Sequence, residues 1–123
     1  MLDLDETLVH AQRKPIEDAD FSIDVEFDNN QGMTTYHVNI RPFVSEFLTE
    51  MHKHYELVVF TASLPAYAHK IIDRIDPSNL ISYTLTREDC TQTKKKVIKD
   101  LSRLGRPMTD VLLLDNSPDC YYF

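Results

Sequence analysis

Apolar residues recur along the chain at spacings that change from segment to segment. Residues 21–27, FSIDVEF, alternate strictly between apolar and polar side chains. This period of two predicts a half-buried strand. The turn-forming sequence at 29–32 precedes residues 34–40, which read as a returning strand. The two strands are therefore predicted to form a β-hairpin.

Two later segments show helical spacing instead. Apolar side chains lie three and four positions apart in residues 43–51 and again in residues 67–75. Pro42 can begin the first helix because its missing N–H is not needed there. Ser63 is a candidate N-cap for the second, since a hydroxyl can accept from a free backbone N–H. The pattern predicts two amphipathic helices.

Continuous apolar runs predict strands that are covered on both faces. They occur at residues 56–60 and 111–114, and residues 1–4 resemble the end of a third run. Weaker signals predict two more strands and one short helix, at residues 82–86, 96–98 and 100–104. Strands that alternate with amphipathic helices predict an α/β fold with a parallel sheet, into which the hairpin is inserted.

Composition narrows the classes of function. With 123 residues the chain is expected to form one domain. Its net charge of −7 argues against direct nucleic-acid binding, and the lack of a long apolar run predicts no membrane segment. Two cysteines form no disulfide framework, which favours a reducing compartment, either nuclear or cytoplasmic. Two glycines cannot supply a glycine-rich nucleotide loop.

Charge is uneven along this acidic chain. Residues 84–107 hold seven Lys or Arg against three acids. A local basic surface suits an anionic ligand, although the lysine run at 94–96 taken alone is equally typical of a solvated surface.

The clearest candidate chemistry is the sequence DLDET at residues 3–7. Side chains two apart in an extended segment point the same way, and ligands bind beyond the carboxyl ends of strands in open α/β sheets. Asp3 and Asp5 are thus predicted to project into one cleft. Two close carboxylates need a proton or cation between them, and Mg²⁺ fits because it prefers oxygen ligands. By itself, such a pair is more often a surface loop.

Polar groups follow the other predicted strands as well. Thr61 comes after residues 56–60, Asp115 and Asn116 come after residues 111–114, and Lys99 precedes the short helix. Each alone is typical of a helix cap, an Asx turn or a surface cation. Together, at one edge of a sheet, they supply the groups that phosphoryl transfer needs.

Five stretches spread over the chain carry a family resemblance: LDLDETLVH (2–10), RPFVSEFL (41–48), ELVVFTASLPAYA (56–68), VIKDLSRLGR (97–106) and VLLLDNSP (111–118). The chain resembles the haloacid dehalogenase superfamily, and within it the small C-terminal-domain phosphatases and the Dullard-like phosphatases, also called NLI-interacting factor phosphatases. This resemblance implies a Rossmann-like parallel sheet without a large cap domain. It also implies that residues 1–123 form one phosphatase catalytic domain, truncated at both ends.

The implied activity is that of a Mg²⁺-dependent protein serine/threonine phosphatase with an aspartyl-phosphate intermediate. Its substrate would be a phosphorylated protein or peptide, with the C-terminal domain of RNA polymerase II as one candidate. By resemblance, Asp3 is the nucleophile and Asp5 the acid and base. Thr61 and Lys99 would bind and neutralise the phosphate.

The resemblance also implies a metal site and residues around the substrate. Mg²⁺ would be held by Asp3, the backbone carbonyl of Asp5 and Asn116, with Asp115 supporting the metal shell. Three residues are implied at the loop or the substrate: Thr7, Arg87 and Tyr67. Because Tyr67 lies on the apolar stripe of its helix, a core role is equally consistent.

Two other functions stay open. The fold also serves a translocase subunit as a non-catalytic protein-binding module, and small-molecule phosphatases occur in the wider superfamily. The complete catalytic set favours an enzyme. The short insertion favours an open site and hence a protein substrate, and Arg13 and Lys14 raise the possibility of an acidic or multiply phosphorylated target.

Overall fold

A small parallel sheet and an antiparallel flap form the framework of the chain. The computed structural model describes residues 1–28 and 32–121. Its strands are β1 (Val9–Gln12), β2 (Phe21–Glu26), β3 (Met33–Ile40), β4 (Leu57–Phe60), β5 (Ile81–Leu85), β6 (Thr91–Gln92) and β7 (Val97–Ile98). Its α-helices are α1 (Val44–His52) and α2 (Pro65–Ile75). Short 3-10 helices span Arg87–Asp89, Leu101–Leu104 and Met108–Asp110.

The parallel sheet is centred on β4, as the apolar run predicted. β5 pairs parallel with β4 on one side. On the other side, the Leu2 N–H donates to the Val58 carbonyl at 2.8 Å, and the Phe60 N–H donates to the Leu2 carbonyl at 2.8 Å. Leu2 also forms a parallel bridge with Leu114. Four extended segments therefore end at the same edge of the sheet, which confirms the predicted α/β architecture.

The segment 111–114 differs from its prediction as a buried strand. Leu112 is 64% exposed and Leu114 is 50% exposed, and the pairing is a single bridge to Leu2. Leu112 and Leu114 line a large apolar cavity, so the described residues leave these side chains partly uncovered. It still delivers Asp115 to the edge where β4 ends.

The flap contains the predicted hairpin and one strand more. β2 and β3 pair antiparallel, and β2 alternates between buried and exposed side chains as expected. β1 pairs with the other edge of β3, and its four residues are too short to show alternation in the sequence. Of the predicted turn, residues 29–31 lie outside the described residues, whereas Gly32 has the positive φ of 79° that glycine adopts readily.

Both helices occur where helical spacing predicted them, with small differences at their starts. α1 begins at Val44 instead of Pro42. α2 has Leu64 at its N-cap and Pro65 at its first position, so the prediction that Ser63 caps this helix was wrong. The buried face of α2 contacts β2, so the helix packs against the flap.

The last third of the chain forms a hairpin and tight turns. The strand predicted at 96–98 is β7, paired antiparallel with β6. The helix predicted at 100–104 is the 3-10 turn Leu101–Leu104, which ends at Gly105 with φ 70°. Lys99 follows β7 directly, so this hairpin brings the lysine to the sheet edge. No helix in the described part of the chain has the length and apolarity to cross a bilayer.

Candidate active site

A cleft of about 380 Å³ lies at the carboxyl edge of the parallel sheet. Six of the nine predicted site residues line it: Asp3, Asp5, Thr61, Lys99, Asp115 and Asn116. The remaining lining residues are Ala62, Ser63, Lys96, Val97, Ser117, Asp119 and Cys120. A larger cavity of about 580 Å³ is lined mostly by apolar side chains, and its described lining includes none of the nine. The polar chemistry is therefore concentrated in the smaller cleft.

Asp3 and Asp115 share one buried ammonium group. Lys99 is 2% exposed, and its Nζ donates to Asp3 Oδ1 at 2.9 Å and to Asp115 Oδ2 at 2.5 Å. The hydroxyl of Thr7 donates to the second Asp3 oxygen, Oδ2, at 3.2 Å. Asp115 Oδ1 accepts from the Ser117 N–H at 3.0 Å. Both carboxylates are thus held in fixed orientations around Lys99.

The charges in this cluster do not balance. Burial raises the pKa of Asp3 above its ordinary value of 3.8, while the hydrogen bond and charge of Lys99 oppose that rise. Burial favours neutral Lys99, but its bonds to Asp115 and Asp3 raise the pKa of Lys99. Two carboxylates therefore face one ammonium, and the second negative charge is balanced either by a proton on Asp3 or by a further cation.

Asp5 has partners of a different kind. Tyr67 Oη donates to Asp5 Oδ1 at 2.5 Å, and Ser63 Oγ donates to Asp5 Oδ2 at 2.6 Å. Burial, together with the bond to the Asp5 carboxylate, raises the pKa of Tyr67, so the phenol stays a donor at neutral pH. The Tyr67 ring packs edge-on against Tyr36 of β3, with centroids 4.9 Å apart. The flap and α2 thus fix the donor that holds Asp5.

Thr61 begins the loop that follows β4, whereas Arg87 follows β5 and contacts that loop. Thr61 is 1% exposed, and its Oγ1 accepts from the Ser63 N–H at 3.1 Å. Arg87 does not line the cleft. Its Nε donates to the Ala62 carbonyl at 2.6 Å, and its backbone N–H donates to the Ser63 carbonyl at 2.9 Å. The arginine braces the loop from outside, and its contact with substrate stays a prediction.

Ser63 is the main residue of the site that the sequence interpretation assigned elsewhere. It was assigned to the helix cap, but its hydroxyl binds Asp5. Its position two residues after Thr61, in the same loop, was the available signal. Cys120 also lines the cleft. Burial and its hydrogen bond to Asp115 raise the pKa of the Cys120 thiol to about 12, so the group stays protonated and unreactive at neutral pH.

The cleft offers two carboxylates and one amide as ligands for Mg²⁺. In residues 1–28 and 32–121, no three His, Cys, Asp or Glu side chains converge as a metal-binding group, and the Asp5 carboxylate bonds to Ser63 and Tyr67. Mg²⁺ typically needs only one or two carboxylates, with water and substrate phosphate completing its shell. Asp3, Asp115 and Asn116 lie in the same cleft and match that requirement.

Comparisons with known proteins find similarity over the whole chain. The model of the NLI interacting factor-like phosphatase family matches residues 1–123. A human relative, carboxy-terminal domain RNA polymerase II polypeptide A small phosphatase 2, is 45% identical over 125 residues, covering all of this chain and 45% of the relative. A Caenorhabditis elegans relative, CTD small phosphatase-like protein 1, is 44% identical over 123 residues, covering all of this chain and 25% of the relative.

Among solved structures, that of Fcp1, an essential RNA polymerase II CTD phosphatase, matches with a TM-score of 0.83 at 25% identity. The match covers 97% of this chain and 37% of that structure. This chain spans less than half the length of the curated relatives it matches.

Proposed function

The chain belongs to the NLI interacting factor-like phosphatase family, and on that premise we propose that it is a Mg²⁺-dependent phosphatase of phosphoserine and phosphothreonine in proteins. One observation carries the proposal. Two carboxylates two residues apart, Asp3 and Asp5, enter the same cleft with opposite kinds of partner. Such a division suits a nucleophile and an acid/base group.

In the first step, an Asp3 carboxylate oxygen attacks phosphorus, and the bond from phosphorus to the serine oxygen breaks. The product is an aspartyl phosphate on Asp3 and a free serine hydroxyl. The Lys99 ammonium stands beside Asp3 and neutralises charge that develops there. The Thr61 hydroxyl lines the cleft and can donate to a phosphate oxygen. Bound Mg²⁺ would screen the phosphate charge from Asp3 and Asp115.

Asp5 supplies the proton that the leaving serine oxygen requires. It then accepts a proton from the water that hydrolyses the aspartyl phosphate. The hydroxyls of Ser63 and Tyr67 hold its two oxygens. A serine hydroxyl can donate to the carboxylate or rotate to accept from the carboxylic acid, so the position of Asp5 is kept in both protonation states.

The shape of the site supports a protein substrate. The insertion before α1 is a three-stranded flap, which is much smaller than a cap domain. The human relative is named for the C-terminal domain of RNA polymerase II, which supports that phosphorylated tail as one candidate substrate and a nuclear or cytoplasmic location. The competing function, a non-catalytic binding module, would leave two carboxylates and one lysine buried without a catalytic use.

The test is hydrolysis of p-nitrophenyl phosphate with and without Mg²⁺, with folding checked by circular dichroism. Wild-type turnover is expected to need Mg²⁺ and to fall by about 10⁴-fold or more in Asp3→Asn, because the nucleophile is lost. Asp119→Asn is the matched control, since Asp119 also lines the cleft and, among the described residues, forms its one ion pair with the exposed Lys96. A folded wild type without turnover would favour the binding module.

A further inference from the structure

A turn that carries three consecutive lysines stands at the rim of the cleft, and the proposed chemistry makes no use of it. Residues 93–96 connect β6 to β7, and Lys94, Lys95 and Lys96 are all exposed. Lys96 lines the cleft, as does the catalytic candidate Lys99 on the far side of β7. The hairpin that delivers Lys99 therefore also places the lysine turn next to the site.

Hydrogen bonds fix the backbone of this turn. Thr93 Oγ1 accepts from the N–H groups of Lys95 and Lys96 at 3.3 and 3.0 Å. The Thr93 N–H donates to the Lys96 carbonyl at 2.9 Å. The three lysine side chains thus project from a defined turn, which limits the entropy lost when a ligand engages them.

The positive charge of the turn is largely uncompensated. Within the described ranges, no acidic side chain pairs with Lys94 or Lys95. Lys96 lies 3.5 Å from Asp119, but these side chains are 53% and 79% exposed, and such a pair is weak. The chain as a whole carries −7, so this is a local basic patch on an acidic protein, and a ligand with one or two anionic side chains fits it better than a long polyanion.

We propose that the lysine turn is a subsite for acidic or phosphorylated side chains that flank the target phosphoserine in a protein substrate. The inference rests on the proposed function and specifies its substrate class. Lys96 and Lys99 are three residues apart on an extended strand, which spans about 10 Å. An extended substrate covers the same distance in about three residues, so the anionic side chain should lie at about that separation from the phosphoserine.

The test uses labelled peptides that contain the non-hydrolysable phosphonomethyl analogue of phosphoserine. One series places two Glu about three residues before or after the analogue, and a matched series has Gln there. Binding to the wild-type protein is measured by fluorescence anisotropy at low and high salt. The variant is Lys94→Gln/Lys95→Gln, and the charge-matched control is Lys53→Gln/Arg103→Gln, which removes two exposed bases that do not line the cleft.

Wild-type protein is expected to bind the better Glu peptide about tenfold more tightly than its Gln counterpart, from several exposed ion pairs of modest strength. The preference should shrink at high salt and fall to about twofold in Lys94→Gln/Lys95→Gln. The control variant should keep the wild-type preference. Equal binding of Glu and Gln peptides would overturn the inference, as would an equal loss of preference in both variants.

A single-stranded RNA bound as tightly as the Glu peptide, and released by the same lysine substitutions, would also overturn it in favour of a nucleic-acid surface. p-Nitrophenyl phosphate has no flanking residues, and its hydrolysis should be the same in Lys94→Gln/Lys95→Gln as in the wild type. Absence of turnover in the wild type would count against the proposed function. The preference for Glu over Gln peptides, measured by anisotropy, tests the subsite separately.

Discussion

Asp3 and Asp5 are two residues apart in one loop, yet the protein surrounds them with opposite chemistry. Asp3 faces the Lys99 ammonium and, beyond it, the Asp115 carboxylate. Asp5 faces two neutral hydroxyls, those of Ser63 and Tyr67. Neither carboxylate is distinguished by its residue type, so the distinction comes from the strands and helices that supply the partners.

The different partners allow two carboxylates of one motif to take different roles. A cation next to Asp3 favours its ionised form, which a nucleophile needs. Hydroxyls next to Asp5 hold its two oxygens in position without adding a charge. The comparison predicts that substitutions around Asp3 affect all substrates and the stability of the cleft, whereas substitutions around Asp5 depend on the leaving group.

After loss of the nucleophile itself, the largest effect is expected from Asp5→Asn on a phosphoserine peptide. The serine oxygen leaves poorly without a proton, so kcat/KM should fall by about 10² to 10⁴-fold. The kcat/KM for p-nitrophenyl phosphate should change far less, because nitrophenolate leaves without a proton. Parallel steady-state assays of both substrates measure the ratio, and equal losses on the two would contradict the assignment of Asp5 as the acid.

Lys99→Met tests the partner of Asp3 through stability. Removing one side of a buried ion pair should cost about 3–5 kcal/mol near neutral pH, measured by urea denaturation without Mg²⁺. The pKa of Asp3 is raised in the folded protein, so folding favours the protonated carboxyl. The folded state therefore loses stability as the pH rises above 3.8. Lys99 opposes that rise, so its loss should cost more at pH 8 than at pH 5.

Lys96→Met is the matched control for this measurement, because Lys96 lines the same cleft but is exposed. It should alter the free energy of unfolding by about 0–1 kcal/mol. A stability difference for Lys99→Met that stays flat between pH 5 and pH 8 would show that Asp3 does not depend on the ammonium as described.

A smaller effect is expected from Tyr67→Phe, which keeps the ring and removes one hydrogen bond to Asp5. Loss of a bond to a charged group should lower kcat/KM on the phosphoserine peptide by about 10 to 100-fold, with p-nitrophenyl phosphate again affected much less. Tyr36→Phe removes a hydroxyl from the neighbouring ring of the same pair and should leave both values near wild type. If Tyr67→Phe lowers kcat/KM equally for both substrates, the tyrosine acts through packing or substrate binding.

The surroundings of Asp3 could be predicted from the sequence far better than those of Asp5. Strand ends and the polar residues that follow them are visible in a sequence, and they located Asp3, Lys99 and Asp115 at one edge. Which way a hydroxyl turns is not visible. Ser63 looks like an N-cap, and only the start of α2 at Pro65 shows that its hydroxyl is free to bind Asp5.

The pattern of apolar residues also could not decide which of the predicted strands are buried. The runs at 56–60 and 111–114 are equally apolar, but β4 has neighbours on both sides whereas Leu112 and Leu114 are half exposed or more. The strand β1 was not predicted because it gains its stability from pairing with β3, which a four-residue window does not reveal.

Asp3, and not Asp5, is expected to form the covalent bond to phosphorus. The most direct test is to react the protein with p-nitrophenyl phosphate and Mg²⁺, quench it within the first turnover, and reduce the mixture with borohydride, which converts an acyl phosphate to homoserine. Peptide mass spectrometry then identifies the converted residue. Homoserine at position 3, with Asp5 unchanged, is the predicted result. Conversion at Asp5, or turnover in an Asp3→Asn protein at the wild-type rate, would contradict the assignment of Asp3 as the nucleophile.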